Sequence, residues 1–253
     1  MAPVGGSSIG DDILQRLQPS QEQWTTIYFI IGYAVGILFL WNIPYLNYIL
    51  YPFKIITVAL HEFGHASAGW CTGAKIEYIN VNPDEGGVTG MRGGNPYITL
   101  PAGYIGSCVW GSLMIFAGFN LLASKIGTGL LGVALLLVLV YARNMMTRGI
   151  TVVFIGFLAF LWWFDNAVAL RYVILFMGVM SALYSLWDIV EDLITRKVNE
   201  SDASKFSQLC CGGCLGPRFW GLIWFVISII FVAIAVIGGI LAFKNDQTIQ
   251  IGG

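Results

Sequence analysis

Long uncharged apolar stretches alternate with short polar ones along this chain. Residues 23–53, 93–124, 126–142, 149–164, 172–187 and 219–243 contain no Asp, Glu, Lys or Arg. A membrane-spanning helix needs about 20 predominantly apolar residues. The pattern predicts helices over 24–41, 52–70, 97–122, 127–141, 149–164, 171–187 and 219–243, the sixth running on toward Ile194. The expected fold class is therefore an all-α polytopic membrane protein of about seven transmembrane helices. One interval departs from this pattern. Lys75–Val81 alternates at period two, 82–87 is turn material, and Val88–Met91 can return as a second strand. A small β-hairpin is expected there, directly after the second helix. It reads either as an ordinary surface loop or as an edge strand able to pair with an extended peptide.

Residues 1–23 are polar and rich in Gly and Ser, and they read as a flexible tail. Residues 24–243 form a single membrane-embedded domain and 244–253 a short C-terminal tail. The first helix then acts as an uncleaved anchor. Gly32 and Gly36 within it make a G-x-x-x-G pair, which lets another helix approach closely. Seven crossings place the termini on opposite sides. With the N-terminus cytosolic, the inner segments hold Arg16, Lys75, Arg92, Arg143, Arg148, Arg196, Lys197, Lys205 and Arg218. The outer ones hold only Lys54, Lys125, Arg171 and Lys244. Cytosolic loops carry the excess of Lys and Arg, so this orientation is the expected one. Asn199-Glu200-Ser201, a glycosylation sequon, is then cytosolic and unused.

Composition agrees with the pattern. The chain is 57% hydrophobic and 11% charged, where soluble domains carry roughly twice that charge. A net charge of −1 gives no reason to expect a nucleic-acid partner. The expected surroundings are a lipid bilayer. The five cysteines, among them Cys210, Cys211 and Cys214, do not form a disulfide framework and read as reduced thiols, with acylation as an alternative.

The chemistry is concentrated at Leu60-His61-Glu62-Phe63-Gly64-His65-Ala66. The chain has two histidines, and both are here. On a helix, positions i and i+4 lie about 40° apart around the axis, so both imidazoles can reach one Zn2+ ion from one face. Glu62 beside them is the candidate general base. It would take a proton from a metal-activated water and pass it to the leaving amine of a peptide. A polar cluster inside a membrane helix is expensive and marks a functional site. The bland alternative is a buried polar cluster, or a metal site kept for structure.

A catalytic zinc takes three protein ligands, and no third histidine exists. Asp188, Glu191 and Asp192 fall at i, i+3 and i+4, on one face at the end of the sixth helix. Asp188 is the favoured third ligand because it abuts the uncharged run. Asp192 is the alternative ligand, or a partner that orients one. Asp165 is placed on the opposite side, and Asp202, in a polar segment, reads as solvated unless that segment folds back.

Several motifs together resemble a known family. His61-Glu62-Phe63-Gly64-His65 in an apolar helix is similar to the site-2 protease group of intramembrane metallopeptidases, the M50 family. The M50B-like branch is closer. Its pattern is matched by Asp84-Glu85-Gly86-Gly87-Val88-Thr89, by Arg92-Gly93-Gly94 and by Leu100-Pro101-Ala102-Gly103-Tyr104-Ile105-Gly106-Ser107. Further matches are Arg171–Phe176, Asp188–Leu193 and Ser201-Asp202-Ala203. The resemblance implies a zinc peptidase that cuts membrane-embedded or membrane-tethered proteins, with His61 and His65 as ligands and Glu62 catalytic. An endomembrane location is favoured. Site-2 proteases draw their third ligand from an Asp-Gly pair, which this chain lacks; Asp188 precedes Ile189. The competing reading is a catalytically inactive scaffold that binds membrane clients with the same fold.

Overall fold

The computed structural model describes residues 10, 17–84, 86–190 and 201–244, with the side chains of Asp165, Asn166, Asp188, Val190 and Cys211 outside that description. Helix α1 (Gln21–Asn42) starts at a capping box in which Ser20 Oγ accepts from the Gln23 amide and Gln23 Oε1 accepts from that of Ser20. A four-residue link, with Tyr45 in the left-handed region, leads to α2 (Asn47–Cys71). The antiparallel strands β1 (Lys75–Val81) and β2 (Gly87–Arg92) follow, then a single helical turn at Pro96–Thr99. Next come α3 (Ala102–Ala117), α4 (Leu121–Tyr141) and α5 (Met145–Trp163), and a short 3-10 segment leads into α6 (Val168–Val190). The last two helices are α7 (Asp202–Cys211) and α8 (Pro217–Ala242). Asn120 and Asn144 cap α4 and α5 through their side chains, which sets where those helices begin.

Among the described residues, five helices, α1, α4, α5, α6 and α8, are long and apolar enough to cross a membrane, and there is one two-stranded sheet. The protein is a multi-pass membrane protein, mostly helical. The hairpin is where the alternation put it. Two of the seven expected spans, α2 and α3, are not among the five. Helix α3 has 16 residues rather than the expected 26, because Pro101 separates it from the turn at Pro96–Thr99 and it ends at Ala117, ahead of the Asn120 cap that starts α4. Helix α2 begins five residues before Pro52, which therefore lies inside the helix and not in its first turn. The missing N–H of Pro52 removes only one bond, close to the start.

The connectivity corrects the expectation of termini on opposite sides. Gln23 Nε2, near the start of α1, donates to the Ile240 carbonyl, near the end of α8, at 3.0 Å. The Arg171 guanidinium, at the start of α6, donates to the Gly118 and Phe119 carbonyls after α3 and to Thr26 Oγ1 of α1. One end of the bundle thus gathers the starts of α1 and α6 and the ends of α3 and α8. At the other end Trp41 of α1 packs against Trp187 of α6, and Ser185 of α6 donates to the Tyr104 carbonyl at the start of α3. Helix α2 and the hairpin leave from that end and return to it. Among the described residues, α1, α3, α4, α5, α6 and α8 run between these two ends, and the chain enters α2 and leaves the hairpin at the same end.

Sequence periodicity could not show this, because protein and lipid are equally apolar neighbours. Every residue of α2 from Ile55 to Ala66 is buried inside the protein. In the span window of α1, by contrast, only 11% of residues are buried. Helix α2 is the inner helix, wrapped by α3, α6 and the hairpin. Its closest neighbour is α3. A Cβ on Gly64 would strike the Ala102 carbonyl, and one on Gly106 would come within 2.9 Å of the Gly64 Cα. Only glycine permits that approach. Gly32 and Gly36 do not act this way, since a Cβ at either would meet nothing within 4 Å.

Candidate metal centre

His61 and His65 stand one turn apart on the buried stretch of α2, with their Nε2 atoms 3.1 Å from each other. His65 Nδ1 lies 2.7 Å from the Thr99 carbonyl, which can only accept. That bond places the ring proton on Nδ1 and leaves the Nε2 lone pair facing His61. The turn at Pro96–Thr99 is held for this purpose by Asn95, whose side chain accepts from the Tyr97 amide.

The third group is Asp202. Its Oδ2 lies 3.3 Å from His61 Nε2 and 3.0 Å from His65 Nε2. The expectation that Asp202 is solvated is wrong: its side chain is 17% exposed. The polar segment folds back because α7 forms within it. Ser201 Oγ caps the helix by accepting from the Ser204 amide, and Asp202 occupies the first turn, where a carboxylate is favoured. Phe206, one turn on, packs edge-on against Trp220 and Trp224 of α8, and Trp224 stacks on Tyr104. Tyr104 in turn meets the His61 ring at 5.2 Å. This aromatic chain fixes α7 over α2. Burial raises the Asp202 carboxyl, but the charge of His65 and hydrogen bonds from both imidazoles outweigh it and hold the group well below the usual carboxylate range.

The three ligand atoms lie 3.0, 3.1 and 3.3 Å apart, close enough to share one cation. An ion bound at about 2.0–2.1 Å by tetrahedral N and O ligands sets those ligands roughly 3.3 Å apart, so the group fits a metal ion. Gly103 makes room for it, since a Cβ there would strike the Nε2 atoms of both histidines. Gly103→Ala is accordingly expected to lower bound metal sharply with little change in thermal stability of the metal-free protein. Metal content against melting temperature checks this.

Glu62 is buried beside the pair, at 5% exposure. Thr89 Oγ1, in β2, lies 2.6 Å from Glu62 Oε2, and a Cβ on neighbouring Gly87 would strike Oε1. The hairpin therefore forms one wall of the carboxylate's pocket. Of the acidic groups expected at the site, the Asp188 carboxyl and all of Asp192 and Glu191 lie outside the described residues. The backbone of Asp188 lies in α6, which reaches the metal end of the bundle. Thr89, Thr99 and Gly103 were not anticipated. Glycine and threonine carry no chemical signature of their own, and only the contact with Glu62 or the histidines reveals them.

The expectation of reduced thiols fails at Cys214. Cys71, Cys108 and Cys210 are free, but Cys214 is disulfide-bonded. The Cys211-Gly-Gly-Cys214 segment turns sharply, with Gly212 and Gly213 both at positive φ.

No match was found among curated proteins or among solved structures. The family model described as peptidase M50B-like matches residues 30–235, which takes in the histidine pair, Glu62, the hairpin and Asp202. With that coverage, the chain belongs to the peptidase M50B-like family, a branch of the M50 metallopeptidases.

Proposed function

We propose that this protein is an intramembrane zinc metalloprotease that cuts membrane-embedded or membrane-tethered proteins. The ligands are His61, His65 and Asp202, and Glu62 is the general base. The observation that carries the reading is the donor triangle with a buried carboxylate held next to it by Thr89. Zinc in this set would supply Lewis acidity toward the attacking water and the scissile carbonyl. Glu62 takes the proton from that water and delivers it to the departing amine. Thr89 fixes the carboxylate for both transfers. The Thr99 carbonyl keeps His65 in the tautomer that leaves Nε2 free to ligate. Strand β2 is paired with β1 on one edge, and it passes directly beside Glu62. Its other edge suits an extended peptide, whose backbone would be presented to the carboxylate.

The test is metal analysis of the purified wild-type protein with a cleavage assay in reconstituted membranes. About one zinc per chain is expected, with cleavage of a membrane-tethered test protein lost on chelation and restored by zinc. Cleavage that survives complete removal of metal overturns the proposal.

The even number of end-to-end helices also changes the orientation. Among the described residues, the segments that join helices at the metal end carry Lys54, Lys75, Arg92, Arg143, Arg148, Lys205 and Arg218; the other end carries Lys125, Arg171 and Lys244. The metal centre then faces the cytosol, with both termini on the opposite side. The disulfide at Cys214 argues the other way, since cytosolic thiols stay reduced. The basic residues span three separate segments and outweigh it. Tags at the two termini are expected to be shielded together in cells with only the plasma membrane permeabilised, and a tag inserted at Asn199 to be accessible. Termini found on opposite sides would contradict the fold as well as the orientation.

A further inference from the structure

A cavity of about 460 Å3 lies at the end of the bundle away from the metal centre. The Arg171 guanidinium stands in its wall. Nε donates to the Gly118 carbonyl, and Nη2 to the Phe119 carbonyl and Thr26 Oγ1. All three acceptors are uncharged. Among the described residues no carboxylate lies within ion-pair distance of Arg171. A guanidinium has five N–H donors, and the two on Nη1 make no bond within the described residues. Among the described residues this half-buried cation has no counter-charge, a costly arrangement that a ligand can relieve. Glu22 lines the same cavity from the exposed start of α1, and Val168 and Phe243 give it an apolar side. The cavity therefore offers a positive group in its wall, a negative group at an exposed position and an apolar flank. It lies where helices that cross the bilayer begin and end.

We propose that this cavity binds the headgroup of a zwitterionic glycerophospholipid such as phosphatidylethanolamine. The phosphate lies on the free side of Arg171, the ammonium turns to Glu22, and the glycerol and first acyl carbons lie along Val168 and Phe243. An anionic lipid has the phosphate but meets Glu22 unfavourably. Inorganic phosphate has no use for the apolar side. The bound lipid completes the charge of Arg171, the residue that ties α3 and α1 to α6.

The probe is native mass spectrometry of the full chain, purified and stripped of lipid. Dioleoyl phosphatidylethanolamine, dioleoyl phosphatidylglycerol and dioleoylglycerol are added in parallel, and thermal stability is followed with inorganic phosphate alone. Phosphatidylethanolamine is expected to be retained at least about tenfold over dioleoylglycerol, as charge-assisted hydrogen bonds to one phosphate would give. Glu22→Gln should shift retention toward phosphatidylglycerol. Arg171→Gln should abolish the preference, but it also cuts bonds that join three helices. Val168→Trp provides the independent variant, because it fills the cavity and leaves the Arg171 bonds in place. It should lose phosphatidylethanolamine without a drop in melting temperature. Equal retention of dioleoylglycerol, undiminished binding in Val168→Trp, or equal stabilisation by inorganic phosphate overturns the proposal.

Discussion

Replacing Glu62 by glutamine is expected to abolish peptide cleavage while leaving the metal in place. The substitution keeps the size of the side chain, and the amide oxygen can still accept from Thr89 Oγ1, 2.6 Å from the native carboxylate. The fold and the ligand set are therefore preserved. What disappears is the proton acceptor. An amide cannot take a proton from water at neutral pH, and general base catalysis of this kind contributes roughly 10²–10⁴-fold. The same group also serves the leaving amine, so the loss is expected at the upper end of that range. Metal content should remain that of wild type. Thr89→Val should give a smaller loss of the same kind, because the carboxylate survives but loses its hydroxyl partner. The discriminating readout is the kcat–KM split: kcat should fall in Thr89→Val while KM and metal content stay at their wild-type values. Full activity in Glu62→Gln would assign the carboxylate a structural role and end the protease reading.

The parts of this protein visible in its sequence are those with a local signature. Two histidines four apart, with Glu62 between them, need only helical periodicity to converge. Strand β1 covers Lys75–Val81, the whole stretch that alternates. The Pro-Ala-Gly-rich start of α3 is such a signature too, since its small residues allow the close Gly64–Ala102 and Gly64–Gly106 approaches. The failures are non-local. Helix α2 is long enough for a span, but it is less apolar than the five helices able to cross, and its residues from Ile55 to Ala66 are covered by protein. From that one helix followed the wrong parity of crossings. Asp202 is 141 residues from His61 and sits on a short helix whose polar composition reads as exposed. Its burial depends on Phe206 docking against Trp220 and Trp224, a tertiary contact with no local trace. The available local hint was Ser201, a good cap residue followed directly by a carboxylate.

Asp202→Ala is expected to strip the metal from the purified protein, and Asp188→Ala to leave it bound. Asp202 Oδ2 lies 3.3 and 3.0 Å from the two histidine Nε2 atoms, the separations that neighbouring ligands of one ion adopt. Removing it leaves two imidazoles on one helix, one donor short of the set a catalytic zinc needs. Loss of a group that merely orients a ligand costs about 10–100-fold in metal affinity, so loss of the ligand itself should exceed about 100-fold. The substitution should do little else. Asp202 contributes to the start of α7 through its charge near the helix N-terminus, worth about 0.3–1 kcal/mol, while Ser201 and Phe206 keep the helix capped and docked. Asp202→Asn sharpens the distinction, since it preserves shape and keeps a neutral oxygen but not the charge that opposes the ion. It should bind metal weakly, recover occupancy in excess zinc and remain slow. Asp188 belongs to α6, whose acidic end favoured it on sequence grounds. On the proposed ligand set of His61, His65 and Asp202, its removal should change zinc content little. If instead Asp188→Ala empties the site and Asp202→Ala does not, the carboxylate of α6 is the ligand. Asp202 would then be a neighbour that neutralises the histidine pair.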